Sequence, residues 1–289
     1  MFFLQILLNS IVHGTQILLI AVPLYLIYSV SRTFHLAVGA ISTAVAYGFY
    51  YAFVNSGSIA LGILVSLIVS VSFAVISHFM LESYILKNQN LLALLVSFSM
   101  GTAIEAIIAM SFGSDGKSIV KEVLPVFHFF GLNLTLVGLI TILFGIIFFL
   151  LSAFFVIKTP FGRTLRSLSE NSSSSESLGT NSQYMRFVTY LIAIFMAGFV
   201  GIMGGLNTSL TPSMGFNNVI LAFIAFLIGG TYSIAGAFIA SFLVTFIPQL
   251  IVSYTDFSDS WRMAFVFLLA GVLLAIRPNG LFCSRIRNN

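Results

Sequence analysis

Apolar runs of about twenty residues follow one another along nearly the whole chain, separated by short polar stretches. A run of that length with few charges reads as a helix crossing a bilayer. Nine crossings are predicted, at about residues 4–28, 34–54, 59–86, 90–112, 134–157, 187–208, 216–230, 234–254 and 261–276. Two of them, 216–230 and 261–276, are short for a bilayer that takes about 20 residues. Their length predicts broken or tilted helices held inside the bundle. The fold class is therefore all-α: one polytopic transmembrane domain spanning residues 1–289. The first run, Met1 to Tyr28, lacks a basic leading segment and a small-residue cleavage site, so it reads as a retained helix.

Two polar stretches stand out against this background. One is an outer loop at residues 113–133. The other, residues 158–186, reads KTPFGRTLRSLSENSSSSESLGTNSQYMR, and six of its 29 residues are Lys, Arg or Glu. Such a segment cannot lie in hydrocarbon, because its charges and hydroxyls would go unsolvated. It reads as a cytoplasmic loop. Leu165 and Leu168 fall on one face at helical spacing, which predicts a short amphipathic helix at the membrane surface.

Charge then orients the chain. With nine crossings and 158–186 inside, nine of the twelve Lys and Arg residues fall on inner segments and three, Lys117, Lys121 and Arg262, on outer ones. That distribution follows the positive-inside rule and puts the N-terminus outside; a re-entrant 34–54 would move it inside.

Composition agrees. The chain is 59% hydrophobic and 7% charged, against roughly 25% charged in a soluble domain. The net charge of +4 reflects inward-facing loops, and no basic patch interleaved with aromatics points to nucleic acid. The single Cys283 allows no internal disulfide. No HExxH, Cys/His metal spacing or Ser-His-Asp set is present. Gly113-Ser114-Asp115-Gly116-Lys117-Ser118 imitates a phosphate loop, but has two residues where a Walker motif has four.

Candidate chemistry is sparse. Glu105 lies mid-helix, where a carboxylate is costly. It reads equally as a polar lining of a solute path and as a neutral carboxyl bonded to a neighbouring helix. Glu82 sits at an inner edge and is expected to pair with Lys87 or another loop cation. His35, near the same edge, is more often an interfacial hydrogen-bonding residue than a solute ligand. A faint repeat joins LAVGAI at residues 36–41 to SIAGAF at 233–238, each opening a helix with a Gly-Ala pair. Repeats are common in transporters, with the solute path between them.

The order of residues in the polar loop carries more. Gly162-Arg163, Arg166, Glu170, then Leu178-Gly179 and Asn181 resemble the cytoplasmic coupling loop of ABC importer permeases of the branched-chain amino acid (Liv-type) family. The family's pattern is G-R-x-x-R, a Glu four residues later, then L-G-x-N; the acidic residue usual after the Glu is Asn171 here. The resemblance continues at Phe34–Ala40, at Gly215-Phe216 through Gly229-Gly230 to Gly236-Ala237, and at the closing R-P-N-G-L-F of residues 277–282. Tyr232 stands where the family has a third Gly.

The resemblance implies a permease subunit moving a small polar solute inward by ATP-driven alternating access, the solute being a branched-chain or other amino acid. It implies a second permease subunit (homo- or heterodimer), two ABC ATPase subunits carrying the ATP, and an extracytoplasmic solute-binding protein facing loop 113–133. It implies no cofactor in this chain and a place in the bacterial inner membrane. Residues 162, 163, 166, 170, 178, 179 and 181 would couple to the ATPase. His35, Gly39, Glu105, Gly229, Gly230 and Gly236 would lie near the translocation path. A secondary carrier or channel, needing no ATPase, is the alternative.

Overall fold

The computed structural model describes residues 2–120, 125–129, 131–170, 180–230, 233–255 and 257–282. Four helices open the chain: α1 (Phe2–Ser31), α2 (Ala37–Ser56), α3 (Ile59–Leu86) and α4 (Asn90–Phe112). A hairpin follows, β1 (Val126–Phe129) with β2 (Leu132–Thr135). Then come α5 (Leu136–Lys158), α6 (Pro160–Glu170), α7 (Ser182–Asn207), α8 (Met214–Gly229), α9 (Ile234–Tyr254) and α10 (Arg262–Ile276). Among the described residues eight helical stretches are long and apolar enough to cross a membrane, the last of them Asp259–Ile276. The ninth predicted crossing is the short apolar helix α8. α2 has 20 residues, about 30 Å at 1.5 Å per residue, the span of the hydrocarbon core rather than of a re-entrant turn.

Contacts at the helix ends sort the loops into two layers. At one end Gln5 Nε2 donates to the Asn133 carbonyl and the Asn133 N–H returns a bond to Gln5 Oε1, both 2.9 Å. Lys117 and Leu210 exchange two backbone bonds, and Tyr47 Oη donates to the Leu210 carbonyl. This is the predicted outer layer. At the other end Ser97 Oγ bonds the Phe34 carbonyl, and the Leu281 N–H donates to the Ile228 carbonyl at 2.7 Å. Asn133, Lys117 and Leu210 thus share one end of the bundle, and Phe34, Ser97 and Leu281 lie at the other, as the charge-based orientation has them.

Two sequence expectations change. The outer loop is not all irregular. Strands β1 and β2 pair antiparallel from Val126↔Thr135 to Phe129↔Leu132, with Gly131 at φ 78° between them. Two four-residue strands joined through a glycine in the left-handed region make a hairpin, and β2 alternates Leu-Asn-Leu-Thr. The 158–186 segment is not all loop either. α6 fills its first part, and α7 begins at Ser182, where Asn181 caps it by accepting the Tyr184 N–H. Arg186 therefore lies inside α7 and is 3% exposed.

Residue size decides which faces are buried. α3 buries Gly62, Ser66, Ser70 and Ala74, then Ser77 and His78, at four-residue spacing. α4 does so with Ala93, Ser97 and Gly101, and α5 buries Thr141 and Gly145, then Ser152 two turns on. Small residues on one stripe let backbones approach, which is how helices associate in lipid. The hydroxyls cost little, because most turn back onto their own helix: Ser66 to the Gly62 carbonyl, Ser70 to Ser66 and Thr141 to Val137, all 2.8 Å, while Ser77 and Ser152 meet the sulfurs of Met100 and Met196 on neighbouring helices. α1 and α2 sit at the centre. α1 packs on α5, α7, α8 and α9, and α2 on α3, α4, α7 and α8.

Candidate functional site

α6 is the predicted amphipathic helix, and its geometry follows from its sequence. Pro160 stands at its first position, where a missing N–H costs nothing. Thr159 Oγ1 accepts the Gly162 N–H at 3.2 Å. Leu165 and Leu168 are buried on one face, while Arg163 and Arg166 are exposed on the other. Gly162 seats the helix: a methyl group there would strike the carbonyls of Phe155 and Val156 at the end of α5. An Arg166 guanidinium N–H reaches back to the Ile157 carbonyl at 3.4 Å. α6 packs on both α5 and α1, so displacement of the helix reaches the centre of the bundle. Glu170 is its last residue. Asn171, Leu178, Gly179 and Tyr232 lie outside the described residues. Asn181, read above as a coupling residue, caps α7.

Above this loop lies a buried polar cluster. Arg186 grips Glu82 on α3 in a bidentate pair, Nε to both carboxylate oxygens at 3.1 and 3.0 Å and an Nη2 contact at 2.5 Å. Glu82 is 6% exposed, so this is not the cheap interfacial carboxylate expected from its position. Its cation is indeed one from the inner segments, but one drawn into the bundle. His78 Nδ1 lies 3.6 Å from the same carboxylate, one turn away. The His78 ring meets Tyr190 edge-on at 6.2 Å, and Tyr190 meets His35 at 5.5 Å. His35 is fully buried, and neither ring nitrogen has a hydrogen-bond partner among the described residues. It is not the interfacial residue its sequence position predicted. No motif announced the Glu82–Arg186 pair; the one hint was two opposite charges at the same membrane edge.

Gly39 on α2 meets Gly215 on α8 so closely that a methyl on either would overlap the other's carbonyl. Gly229 and Gly236 make the same contact between α8 and α9. Gly230 turns the chain at φ 100° and packs on Gly280, whose own φ is 82°. These glycines are helix-crossing points gathered around α8. Glu105 is apart from them on α4, one turn beyond Gly101, which packs on Ala37 and Ala40. It is half-buried, and Oε1 has no partner among the described residues. Among the described residues no group of three or more His, Cys, Asp or Glu could hold a metal ion.

Comparison with known proteins gives a consistent result. The family model described as branched-chain amino acid transport system / permease component matches residues 6–275. The chain is similar to the high-affinity branched-chain amino acid transport system permease protein BraD of Pseudomonas aeruginosa, at 24% identity, covering 96% of this chain and 95% of that one. It is 25% identical to the probable branched-chain amino acid transport permease protein LivH of Methanocaldococcus jannaschii, covering 96% and 91%. It is 21% identical to LivH of Escherichia coli, covering 97% and 96%. No solved structure matches the chain significantly. The bundle of apolar helices, its polar inner helix and a match over nearly the full length place the chain in one family: it belongs to the branched-chain amino acid transport system permease components, multi-pass transport proteins of the cytoplasmic membrane rather than enzymes.

Proposed function

We propose that the chain is the membrane-spanning subunit of an ATP-driven importer, moving a small polar solute of the branched-chain or other amino-acid class by alternating access. The partners are two ABC ATPase subunits that hold the ATP, a second permease subunit and an extracytoplasmic solute-binding protein. The observation that carries this reading is the seating of α6. A polar helix with two exposed arginines projects at the inner end, is fixed to α5 through Gly162, and touches the central helix α1. A carrier without an ATPase has no use for such a lever. Movement of a docked ATPase would press α6 inward and be felt at once by α1, on which four other crossings pack. The outer hairpin, tied to α1 through Gln5, offers the binding protein a structured rim.

The test is uptake of radiolabelled leucine into vesicles carrying the chain with its ATPase, second permease and binding protein. Uptake is expected to require ATP and to survive a protonophore. Uptake that collapses with the protonophore and ignores ATP would replace the proposal with a secondary carrier.

A further inference from the structure

The outer half of the bundle contains a cavity of about 360 Å³, lined from α1, α8, α9 and α10. That volume falls within the ~300–1,000 Å³ typical of small-molecule sites. Its lining is unlike the hydrocarbon-facing grooves elsewhere. α1 supplies His13 and Gln16, α9 supplies Gln249, and the start of α10 brings Arg262 and, just before it, Asp259. Leu221, Val244 and Val266 form an apolar wall.

Two of these polar groups are unfinished. Gln16 is 8% exposed, and its amide Nε2 has no hydrogen-bond partner among the described residues. Arg262 pairs through Nη2 with Asp259 Oδ1, but its Nε is buried without a partner among the described residues. Both orphans are donors. A buried donor left unmade is expensive, more so at membrane depth, so the missing partner is an acceptor. A carboxylate takes two convergent N–H groups best, because charge-assisted bonds are the strong ones. The Asp259 carboxylate stands at the mouth, 73% exposed, where it can meet a cation. Acceptor-seeking donors inside, an anion at the rim and an aliphatic wall describe a zwitterion with an apolar side chain.

We propose that this cavity is an outward-facing binding site for a small aliphatic α-amino acid, its carboxylate held by Gln16 and Arg262 and its ammonium by Asp259. The site lies wholly within one protomer. It rests on the import reading only for the side from which the ligand arrives.

The experiment reads occupancy without transport. Ser260, exposed at the mouth, is changed to Cys in a Cys283→Ser background. Right-side-out vesicles carrying the complete transporter, without ATP, are labelled with an impermeant maleimide in the presence of L-leucine or L-alanine. The free amino acid should slow labelling, and leucine methyl ester, lacking the carboxylate, should not. Gln16→Leu, which removes the orphan donor while suiting its buried position, should raise the half-protecting concentration about tenfold or more. Arg262→Lys, keeping charge but losing the planar donor, should do the same. Labelling unaffected by either amino acid, or protection equal in ester and variants, overturns the site. Either result leaves the ATP-dependence of uptake, and hence the import reading, to be judged separately.

Discussion

α2 and α5 have the same task by hydropathy and opposite places in the molecule. α2 is built of Ala, Gly, Ser and Tyr, and is buried along most of its length by α3, α4, α7 and α8. α5 is richer in Leu, Ile and Phe, yet Leu143, Ile146, Ile147, Leu150, Leu151 and Phe154 are all exposed. In a soluble protein the bulky apolar residues would be inside. Here they face lipid, which is as apolar as they are, and the face that α5 buries is lined by small residues that let helices touch, while bulky apolar residues fill the interior along α1. Greasiness therefore marks a crossing but not its burial, and the spacing of small residues marks the buried face.

The sharpest way to break this contrast is at the charged pair bracing the centre. Glu82→Leu leaves Arg186 buried and alone, and should cost roughly 3–5 kcal/mol of stability. Thermal unfolding in detergent checks it; an unchanged midpoint would mean that water reaches the pair. Next is Gly236→Leu, which forces a bulky side chain into the contact with Gly229. Overpacking costs about 1–3 kcal/mol, so the protein should still fold while leucine uptake is abolished. Normal uptake would take the α8–α9 crossing out of the moving part.

Glu105→Gln has a smaller expected effect. The residue is half-buried with a shielded oxygen and no partner among the described residues, and Gln keeps its size and hydrogen bonding. Uptake should stay within about twofold. A tenfold loss, about 1.4 kcal/mol, would show that its charge meets the solute. The smallest effect belongs to the rim. Leu150→Ala on α5 changes a side chain 59% exposed to lipid and should move stability by no more than about 0.5 kcal/mol. A larger loss would show that this face is covered by another subunit.

Much of the architecture was legible. The eight long apolar helices and the shorter α8 fall where apolar run length put them, because a bilayer imposes a length that a soluble core does not. The amphipathic helix was read from Leu165 and Leu168 and stands as α6. What the runs concealed was three-dimensional pairing. Arg186 reads as a loop residue until Glu82, 104 positions away, is placed beside it. The outer cavity draws on four separate helices, and Gln16 alone on an apolar stretch carries no signal. His35 was assigned to the interface because a polar residue near a run's edge usually reaches water, whereas α2, α7 and their neighbours close over it. The hairpin carries only a weak signal, because Val126–Phe129 does not alternate apolar and polar positions as Leu132–Thr135 does.

If α6 is the lever through which ATP drives the bundle, charge reversal at its end must separate hydrolysis from transport. The measurement is leucine uptake and ATP hydrolysis recorded together in proteoliposomes of the complete transporter carrying Glu170→Lys. The predicted result is a folded, assembled complex that hydrolyses ATP without regard to solute and imports almost none. Wild-type uptake coupled to wild-type hydrolysis would contradict it.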